Sequence, residues 1–160
     1  MTFLANNYNR KKISFKKGAG SYLVATNGKK YLDFCSGIAV NSLGHANPRL
    51  VKALYKQAKK VWHVSNAFTI PEGEMLAKKL VKKTFADSVI FQNSGTEATE
   101  VAIKVARRYF YSIGKPKKNR ILCVKNSFHG RTIAAIFASG SKKIPPLLWL
   151  KQLWAKVELK

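Results

Sequence analysis

The most constraining feature of the sequence is the order strand, turn, helix and strand between residues 88 and 124. Residues 88–92 (SVIFQ) predict a short buried strand, and a helix is predicted to begin at about Glu97. The apolar face of that helix consists of Ala98, Val101, Ala102, Val105 and Tyr109. Residues 121–124 (ILCV) predict a second buried strand. Strands joined by a helix form a βαβ unit, so the chain is predicted to be an α/β protein with a parallel sheet.

The first 80 residues predict a hairpin and two helices. Residues 22–25 and 30–34 flank an Asn27-Gly28 pair, which supplies the positive φ angles of a tight turn. Asn47-Pro48 predicts a helix start, because Asn caps a helix and Pro suits its first position. Pro71 predicts another helix start. The apolar faces of the two helices are Leu50, Val51, Leu54, Ala58 and Val61, and Met75, Leu76 and Leu80.

The turn Ser94-Gly95-Thr96 lies between a predicted strand and a predicted helix N-terminus. Backbone N–H groups and the helix dipole bind phosphate at such positions. Gly95 would allow an anion to approach the backbone closely, and the hydroxyls of Ser94 and Thr96 could donate hydrogen bonds. A capping box between Ser94 and Glu97 explains the same residues without a ligand.

Residues 128–131 (FHGR) follow the second predicted strand, where ligands bind in parallel sheets. An aromatic ring and an arginine there could stack on a planar cofactor and bind a carboxylate through two hydrogen bonds. Taken singly, Phe128 could be a core residue, His129 a partner of the backbone and Arg131 a member of a surface ion pair. His45 and His63 have no evident partner in the sequence and are interpreted as structural.

Basic residues outnumber acidic residues by 30 to 7, which gives a net charge of +23. Such an excess is typical of proteins that bind nucleic acid or anionic membranes. However, only six of the basic residues are arginine, which specific nucleic-acid readers favour, and the lysines are spread from Lys11 to Lys160. The pattern favours lysine-rich surface faces without a specific nucleic-acid partner, and a basic nucleic-acid-binding protein is the alternative.

The cysteine and hydropathy patterns argue against several other classes. Cys35 and Cys123 lack CxxC spacing, so neither a metal site nor a disulfide framework is predicted, and both are expected to be buried, reduced thiols. No apolar run approaches the roughly 20 residues that span a bilayer. The N-terminal residues also lack the apolar region of a secretory signal. No membrane partner is expected.

Three motifs carry a family resemblance. They are residues 31–45 (YLDFCSGIAVNSLGH), residues 93–98 (NSGTEA) and residues 128–132 (FHGRT), in this order. They resemble three successive signatures of the class III pyridoxal-phosphate (PLP) aminotransferases, and the first is most similar to the acetylornithine branch. The resemblance extends over about residues 8–140.

The resemblance implies a fold and a reaction. The fold would be the N-terminal part of a PLP-dependent transferase (aspartate aminotransferase-like) fold, an incomplete parallel-type sheet with helices. Residues 1–70 would be a small-domain segment with a linking helix, and residues 71–143 the first part of the PLP-binding large domain. The reaction would be amino transfer between N-acetylornithine and 2-oxoglutarate in arginine biosynthesis, with pyridoxal 5′-phosphate as electron sink. Ornithine, succinylornithine and 4-aminobutyrate are alternative donors.

The resemblance also implies individual roles. Gly95 and Thr96, with Ser94, would bind the cofactor phosphate, Phe128 would stack on the pyridine ring, and Arg131 would bind the substrate α-carboxylate. Residues 36–40 would lie near the substrate pocket or the subunit interface, since family members are homodimers with active sites at that interface. A match that begins near residue 8 leaves little room for a transit peptide, so a cytoplasmic location is expected.

The catalytic lysine of the family is expected to lie outside these 160 residues. Family members are much longer, and the resemblance assigns the Schiff-base lysine and the aspartate that pairs with the pyridine nitrogen to the remaining portion. No catalytic residue is therefore predicted here, and the 160-residue chain alone is expected not to transaminate.

Residues 144–160 do not resemble the family in their residue pattern. Leu150, Leu153, Trp154 and Val157 could form one apolar face of a helix that binds a membrane surface or a partner. A disrupted reading frame is the favoured explanation of this tail. Poor solubility is also expected, because an incomplete sheet exposes apolar surface and a strand edge.

Overall fold

The computed structural model describes residues 3–139 and the backbone of residues 154–157, and the chain divides into two compact units between Ile70 and Pro71. The first unit contains a three-stranded antiparallel sheet in the order β1-β2-β3. The described elements of this unit are β1 (Phe15–Ala19), β2 (Tyr22–Ala25), β3 (Lys30–Leu32), α1 (Ser36–Ala39) and α2 (Pro48–Ala58). The sequence pattern does not predict β1, whose sequence FKKGA does not alternate between apolar and polar residues.

The predicted hairpin of β2 and β3 is confirmed, although its turn differs in detail. Gly28 has a φ of 87°, whereas Asn27 does not adopt a positive φ. The Gly28 N–H donates to the Ala25 carbonyl at 2.9 Å, and the Asn27 Oδ1 accepts from the Lys29 N–H at 3.0 Å. The turn is therefore of the type I kind followed by a left-handed glycine, which needs a positive φ only at Gly28.

β3 ends at Leu32, two residues before the predicted end of the strand. The Asp33 Oδ1 accepts from the N–H groups of Cys35 and Ser36, each at 3.0 Å. Such local bonds from side chain to backbone compete with the sheet ladder and end the strand. Cys35 is consequently exposed, so the prediction of a buried thiol is wrong at this position and confirmed at Cys123.

Both predicted proline helix starts are confirmed. α2 begins at Pro48, and the Oδ1 of its N-cap Asn47 accepts from the Arg49 N–H at 3.0 Å. The second unit begins with α3 (Pro71–Val81), which carries Glu72 in its first turn, where the helix dipole favours a negative charge. The sequence therefore determines both helix starts locally, through caps and proline positions.

The predicted apolar faces lie on α2 and α3, except that Val61 follows the end of α2 at Ala58, and they are not buried in the described part of the chain. Leu54 is 73% exposed and Met75 is 56% exposed. An apolar helix face is buried only where another layer packs on it, and the substantial packing between described elements lies elsewhere, within the antiparallel sheet and among the later elements. The prediction that Met75, Leu76 and Leu80 face inward is therefore wrong for the described part of the chain. The other large apolar residues of these faces that are exposed are Leu50, Val51, Val61, Leu76 and Leu80.

The packed part of the second unit consists of α4 (Gly95–Ser112), β4 (Ile121–Val124) and α5 (Ile133–Ser139). α4 begins two residues before the predicted start at about Glu97. Small side chains let α5 approach β4 closely. The buried apolar residues at this contact and on α4 are Ile103, Cys123, Ala135 and Ala138.

The parallel sheet is confirmed, but with a different partner strand. β4 pairs in parallel with β5 (Trp154–Val157), so that Ile121 lies opposite Trp154. Residues 88–92 do not form a strand, and Ile90 is 61% exposed. A strand forms only where a neighbour pairs its backbone groups. Residues 88–92 have no such neighbour among the described residues, so the predicted strand is wrong.

The predicted helical face of the tail is wrong for its last part. Trp154 and Val157 belong to β5, where they pair with β4 instead of facing one side of a helix. The period-3.6 pattern of apolar residues is too short in this segment to decide between helix and strand. Leu150 and Leu153 lie outside the described residues.

Candidate functional site

The N-terminus of α4 carries the predicted phosphate-binding turn. Ser94 is the N-cap residue, with extended backbone, and its Oγ accepts from the Glu97 N–H at 3.2 Å. This is the first half of the capping box considered above. The second half does not form, because the Glu97 carboxylate accepts from the Asn93 side-chain amide at 3.4 Å. The Ser94 hydroxyl proton remains available as a donor.

Two backbone donors at this turn have no acceptor in the described part of the chain. The Ser94 Oγ accepts from the Glu97 N–H at 3.2 Å, and the Ser94 carbonyl accepts from the Ala98 N–H at 3.0 Å. The N–H groups of Gly95 and Thr96 are the remaining donors of the first turn. A Cβ placed on Gly95 would meet no atom of the described residues within 4 Å, so these residues leave open space beside the turn. Free donors, a helix dipole and open space together form an anion-binding geometry.

The second motif, residues 128–132, packs directly on this turn. Gly130 has a φ of 124°, and a Cβ built on it would lie 2.1 Å from the Thr96 Oγ1. Only glycine fits this contact, because both the positive φ and the close approach exclude a side chain. One helical turn along α4, the Thr132 hydroxyl donates to the Glu100 carboxylate. Because Thr96 and Glu100 share one face of α4, both contacts hold residues 130–132 against the start of the helix.

The predicted ring and carboxylate binders flank Gly130. The Phe128 side chain is 74% exposed, and the guanidinium carbon of Arg131 lies 6.0 Å from its ring centroid. This distance is at the outer limit of a cation–π contact. The interpretation of Phe128 as a core residue does not hold in the described structure. An exposed ring beside a guanidinium group can stack on a planar ligand and bind its carboxylate.

The backbone before Gly130 is anchored to α5 by buried polar contacts. The Ser139 Oγ accepts from the His129 N–H at 3.0 Å and donates to the Ala135 carbonyl at 2.8 Å, and Ser139 is buried. The Ser127 hydroxyl donates to the Val124 carbonyl at 2.7 Å. These contacts determine where Phe128 and Arg131 lie. No periodic pattern marks Ser139, and a lone serine near a helix end has many possible partners.

A cavity of about 310 Å³ lies beside the site but is chemically different from it. It is bounded by α4, β4 and α5, and its walls are mostly apolar. Its lining includes His129 and does not include Gly95, Thr96, Phe128 or Arg131. The anion-binding turn and this cavity are therefore separate features of the second unit.

The residues of the second unit fit the three parts of pyridoxal phosphate. The donors of Gly95 and Thr96 suit the phosphate, the exposed Phe128 ring suits the pyridine, and Arg131 suits the carboxylate of an attached amino acid. Glu97 opposes the phosphate electrostatically, yet it lies at the third helical position and its carboxylate contacts Asn93. The chemistry of the donor set therefore fits the cofactor that the sequence motifs imply.

The first unit contains a hydrogen-bonded pair of side chains that the sequence patterns do not reveal. The Nε2 of His45 lies 2.7 Å from the Oδ2 of Asp33, a partner that the sequence does not make evident. The side-chain hydrogen bond from His45, together with the backbone N–H of Ser36, lowers the pKa of Asp33 below its ordinary value. A lowered pKa means that this stabilisation is present above the pKa of the unfolded carboxyl and is lost as pH falls through the folded value.

Two kinds of feature are absent from the described residues. Among residues 3–139 and the strand 154–157, no helix is long and apolar enough to cross a membrane. The same part of the chain contains no group of three or more His, Cys, Asp or Glu side chains that could hold a metal ion.

Comparison with known families gives one match that covers nearly the whole chain. The profile of the class-III aminotransferases matches residues 3–156. The match includes most of residues 144–160, which the residue pattern alone sets apart from the family.

Curated relatives and solved structures agree with this match. The chain is 54% identical over 140 residues to the acetylornithine aminotransferase of Agrobacterium fabrum, covering 88% of this chain and 35% of the relative. It is 51% identical over 144 residues to the acetylornithine aminotransferase of Aquifex aeolicus, covering 89% of this chain and 38% of the relative. The chain thus spans little more than a third of these relatives' length.

The fold also matches solved aminotransferases. The crystal structure of N-acetylornithine aminotransferase from Stenotrophomonas maltophilia superposes with a TM-score of 0.73 at 33% identity, covering 94% of this chain and 36% of that chain. The ornithine aminotransferase of Toxoplasma gondii superposes with a TM-score of 0.81 at 27% identity, covering 98% of this chain and 38% of that chain. The α/β fold is therefore the N-terminal part of a PLP-dependent transferase fold, as the motifs imply.

Proposed function

We propose a function on the premise that this chain belongs to the class III aminotransferase family. The chain is part of an N-acetylornithine:2-oxoglutarate aminotransferase of arginine biosynthesis. It carries the turn that binds the cofactor phosphate and the arginine that binds the substrate carboxylate. Identities of 51–54% to acetylornithine aminotransferases support this donor over the other donors of the family. Ornithine, succinylornithine and 4-aminobutyrate are the alternative donors.

The observation that carries the proposal is the contact of Gly130 with Thr96, because it joins the two chemistry-bearing motifs. The N–H groups of Gly95 and Thr96 and the Ser94 hydroxyl donate to the cofactor phosphate. Phe128 stacks on the pyridine ring, which keeps water from one ring face. When bound, pyridoxal phosphate would supply an electron sink for the bonds at the substrate carbon that carries the reacting amino group.

Arg131 has the role of orienting the amino donor. A guanidinium group binds a carboxylate through two parallel hydrogen bonds, which fix rotation as well as position. Orienting the donor in this way lowers the entropic part of the reaction barrier. Because residues 128–132 are held against α4, this orientation is set relative to the phosphate turn.

The proposal extends to the organisation and setting of the whole enzyme. Residues 1–70 are assigned to the small-domain segment with its linking helix, and residues 71–143 to the first part of the large domain. The subunits would form a homodimer in the cytoplasm, with an amino donor and a 2-oxo acid as small-molecule partners. These assignments are supported by what is usual among members of the family.

The donor assignment is tested with two non-reactive ligands that differ in one group. The first is the reduced phosphopyridoxyl conjugate of N-acetylornithine, and the second is the conjugate of N-acetyl-1,4-diaminobutane, which lacks the α-carboxylate. Calorimetry is expected to show that Arg131→Ala weakens binding of the first ligand by about 10- to 100-fold, as for a lost hydrogen bond between charged groups. Binding of the second ligand is expected to change little.

The two ligands and two proteins form a thermodynamic cycle that isolates the contact of Arg131 with the carboxylate. Equal weakening of both ligands would assign Arg131 to general charge attraction and contradict its role. Tighter binding of the corresponding ornithine conjugate than of the N-acetylornithine conjugate would reassign the donor and leave the family intact.

The high positive charge leads to a separate prediction. Binding of a fluorescent DNA duplex is expected to be independent of base sequence and to fall steeply between 50 and 200 mM salt, by roughly 10³-fold or more if six phosphates are contacted. Fluorescence anisotropy over this salt range measures it. A duplex bound selectively at 150 mM salt would favour the alternative of a nucleic-acid-binding protein.

A further inference from the structure

Ser139 lies in the last turn of α5, and its side chain is buried. Among residues 3–139 it is the only polar residue that is buried. A buried hydroxyl group needs hydrogen-bond partners, and this one both donates and accepts. It donates to the Ala135 carbonyl at 2.8 Å and accepts from the His129 N–H at 3.0 Å. The first bond stays within α5, whereas the second reaches a residue ten positions earlier in the chain.

Ser112, in the last turn of α4, makes the same intrahelical bond in a different setting. Its hydroxyl donates to the Arg108 carbonyl at 2.8 Å, but the Ser112 side chain is exposed. Serine in a helix commonly forms this bond to the carbonyl four residues earlier. The intrahelical bond therefore indicates only a local role, and the bond from the His129 N–H is what distinguishes Ser139.

The segment that Ser139 contacts has no regular secondary structure of its own. Residues 125–132 follow β4 and lie outside any helix or strand. A buried or half-buried N–H in such a segment cannot pair within a strand ladder or a helix, so it needs an acceptor elsewhere. Here the acceptor is a side chain on α5, which packs on β4. The position of His129 is thus set relative to α5 by this hydrogen bond.

Arg131 lies two residues after His129 and next to contacts with α4. Gly130 packs against the start of α4, and the Thr132 hydroxyl donates to the Glu100 carboxylate. The backbone of Arg131 is therefore held from α4 on one side and, through His129, from α5 on the other. A guanidinium group forms two parallel bonds to a carboxylate only when the two groups are aligned, so a displacement of about 1 Å weakens both bonds.

Loss of the Ser139 hydroxyl would act on this segment and not on the phosphate-binding turn. Without that acceptor, the His129 N–H would be left unpaired in a half-buried place, and the segment would move towards another acceptor. The start of α4 is held by its own cap, in which the Ser94 Oγ accepts from the Glu97 N–H. The two halves of the candidate site are therefore fixed by different hydrogen bonds.

We propose that Ser139 is a positioning residue for Arg131 and so determines how strongly the site prefers ligands that carry a carboxylate. The proposal rests on the proposed function, because that function assigns carboxylate binding to Arg131. Ser139 is given no catalytic role. It acts through the His129 N–H and the backbone that leads from His129 to Arg131.

The test uses the two phosphopyridoxyl conjugates described above, with and without the α-carboxylate, and measures their affinities by calorimetry. The ratio of the two affinities reports carboxylate binding, because the contributions of the phosphate and the ring cancel. Ser139→Ala is expected to lower this ratio by about tenfold, as for weakened hydrogen bonds to a charged group. Ser112→Ala, which removes the same intrahelical bond from α4, is expected to leave the ratio unchanged.

A double variant separates positioning from general structural support. When Arg131 is already alanine, Ser139→Ala is expected to change the ratio by no more than about twofold, the usual uncertainty of such cycles, because the group that it positions is absent. An undiminished effect in the double variant would overturn the proposal. An unchanged ratio in Ser139→Ala, or an equal fall in Ser112→Ala, would overturn it as well.

Ser139→Cys replaces the alanine variant if the latter fails to fold. Its thiol fills the place of the hydroxyl but accepts hydrogen bonds only weakly, so the ratio is expected to fall in the same direction. Failure of the proposed function gives a different result. A ratio near one in the wild-type chain would show that Arg131 does not bind the carboxylate, and would overturn both. A high wild-type ratio that the Ser139 variants leave unchanged would overturn this inference alone.

Discussion

Replacing Gly130 with alanine is expected to destabilise the second unit by on the order of 1–3 kcal/mol, the usual cost of forcing atoms into a packed site. The new Cβ would lie 2.1 Å from the Thr96 Oγ1 and 2.7 Å from the Thr96 Cβ. Rotating the hydroxyl away cannot remove the second contact, because the Thr96 Cβ belongs to the start of α4. The Gly130 backbone, with φ at 124°, is also one that alanine rarely adopts.

Gly114→Ala is the matched control for this substitution. Gly114 also has a positive φ, of 73°, but a Cβ there meets none of the described atoms within 4 Å. It therefore carries only the backbone cost, about 1 kcal/mol or slightly more. Urea unfolding of both variants should show a clearly larger loss for Gly130→Ala, and Thr96→Gly should recover part of it. Equal losses in the two variants would show that the contact between Gly130 and Thr96 does not form.

The substitution Gly95→Asp is expected to abolish phosphate binding without lowering stability. The described residues leave the Gly95 Cβ position open, and aspartate at the start of a helix interacts favourably with the dipole, by roughly 0.3–1 kcal/mol. The new carboxylate would, however, lie beside a bound phosphate. Two like charges at 4 Å repel by about 4 kcal/mol at an effective dielectric constant of 20, which corresponds to roughly a 10³-fold loss of affinity.

Gly95→Asp separates a role in phosphate binding from a role in helix capping, because it is expected to lower the affinity for phosphate without lowering stability. A residue with only a capping role would show unchanged ligand affinity together with unchanged or higher stability. Gly114→Asp introduces the same charge beyond the C-terminal end of α4, so it corrects for the change in net charge. A similar loss of affinity in Gly114→Asp would mean that phosphate responds to net charge and not to the turn.

The sequence predicts local structure well where short-range chemistry determines it. Asn47-Pro48 and Pro71 fix two helix starts, and Ser94 caps α4, because each effect acts within one turn of helix. Strand pairing is different. Residues 88–92 have the residue pattern of a buried strand, but pairing requires a neighbour distant in sequence, and β4 pairs with β5 instead.

The candidate site shows the same division. The order of the motifs makes Gly95, Thr96, Phe128 and Arg131 recognisable in the sequence. In the structure, the segment 128–132 contacts the turn 94–96 through Gly130 and Thr96. The contacts that bring them together were not predictable, because Thr132 with Glu100 and His129 with Ser139 are single long-range hydrogen bonds without a periodic signal. Asp33 and His45 were missed for the same reason, since 12 residues separate them and no repeat relates them.

The most direct test of the central claim, that the N-terminus of α4 binds the cofactor phosphate, is calorimetric titration of pyridoxine 5′-phosphate at physiological salt. This ligand keeps the phosphate and the ring but has no aldehyde to react with surface lysines. The predicted result is saturable binding to the wild-type chain and to Gly114→Asp, with a loss of roughly 10³-fold in Gly95→Asp at unchanged stability. Equal affinity of the wild-type and Gly95→Asp chains, or no saturable binding to the wild-type chain, would contradict the claim.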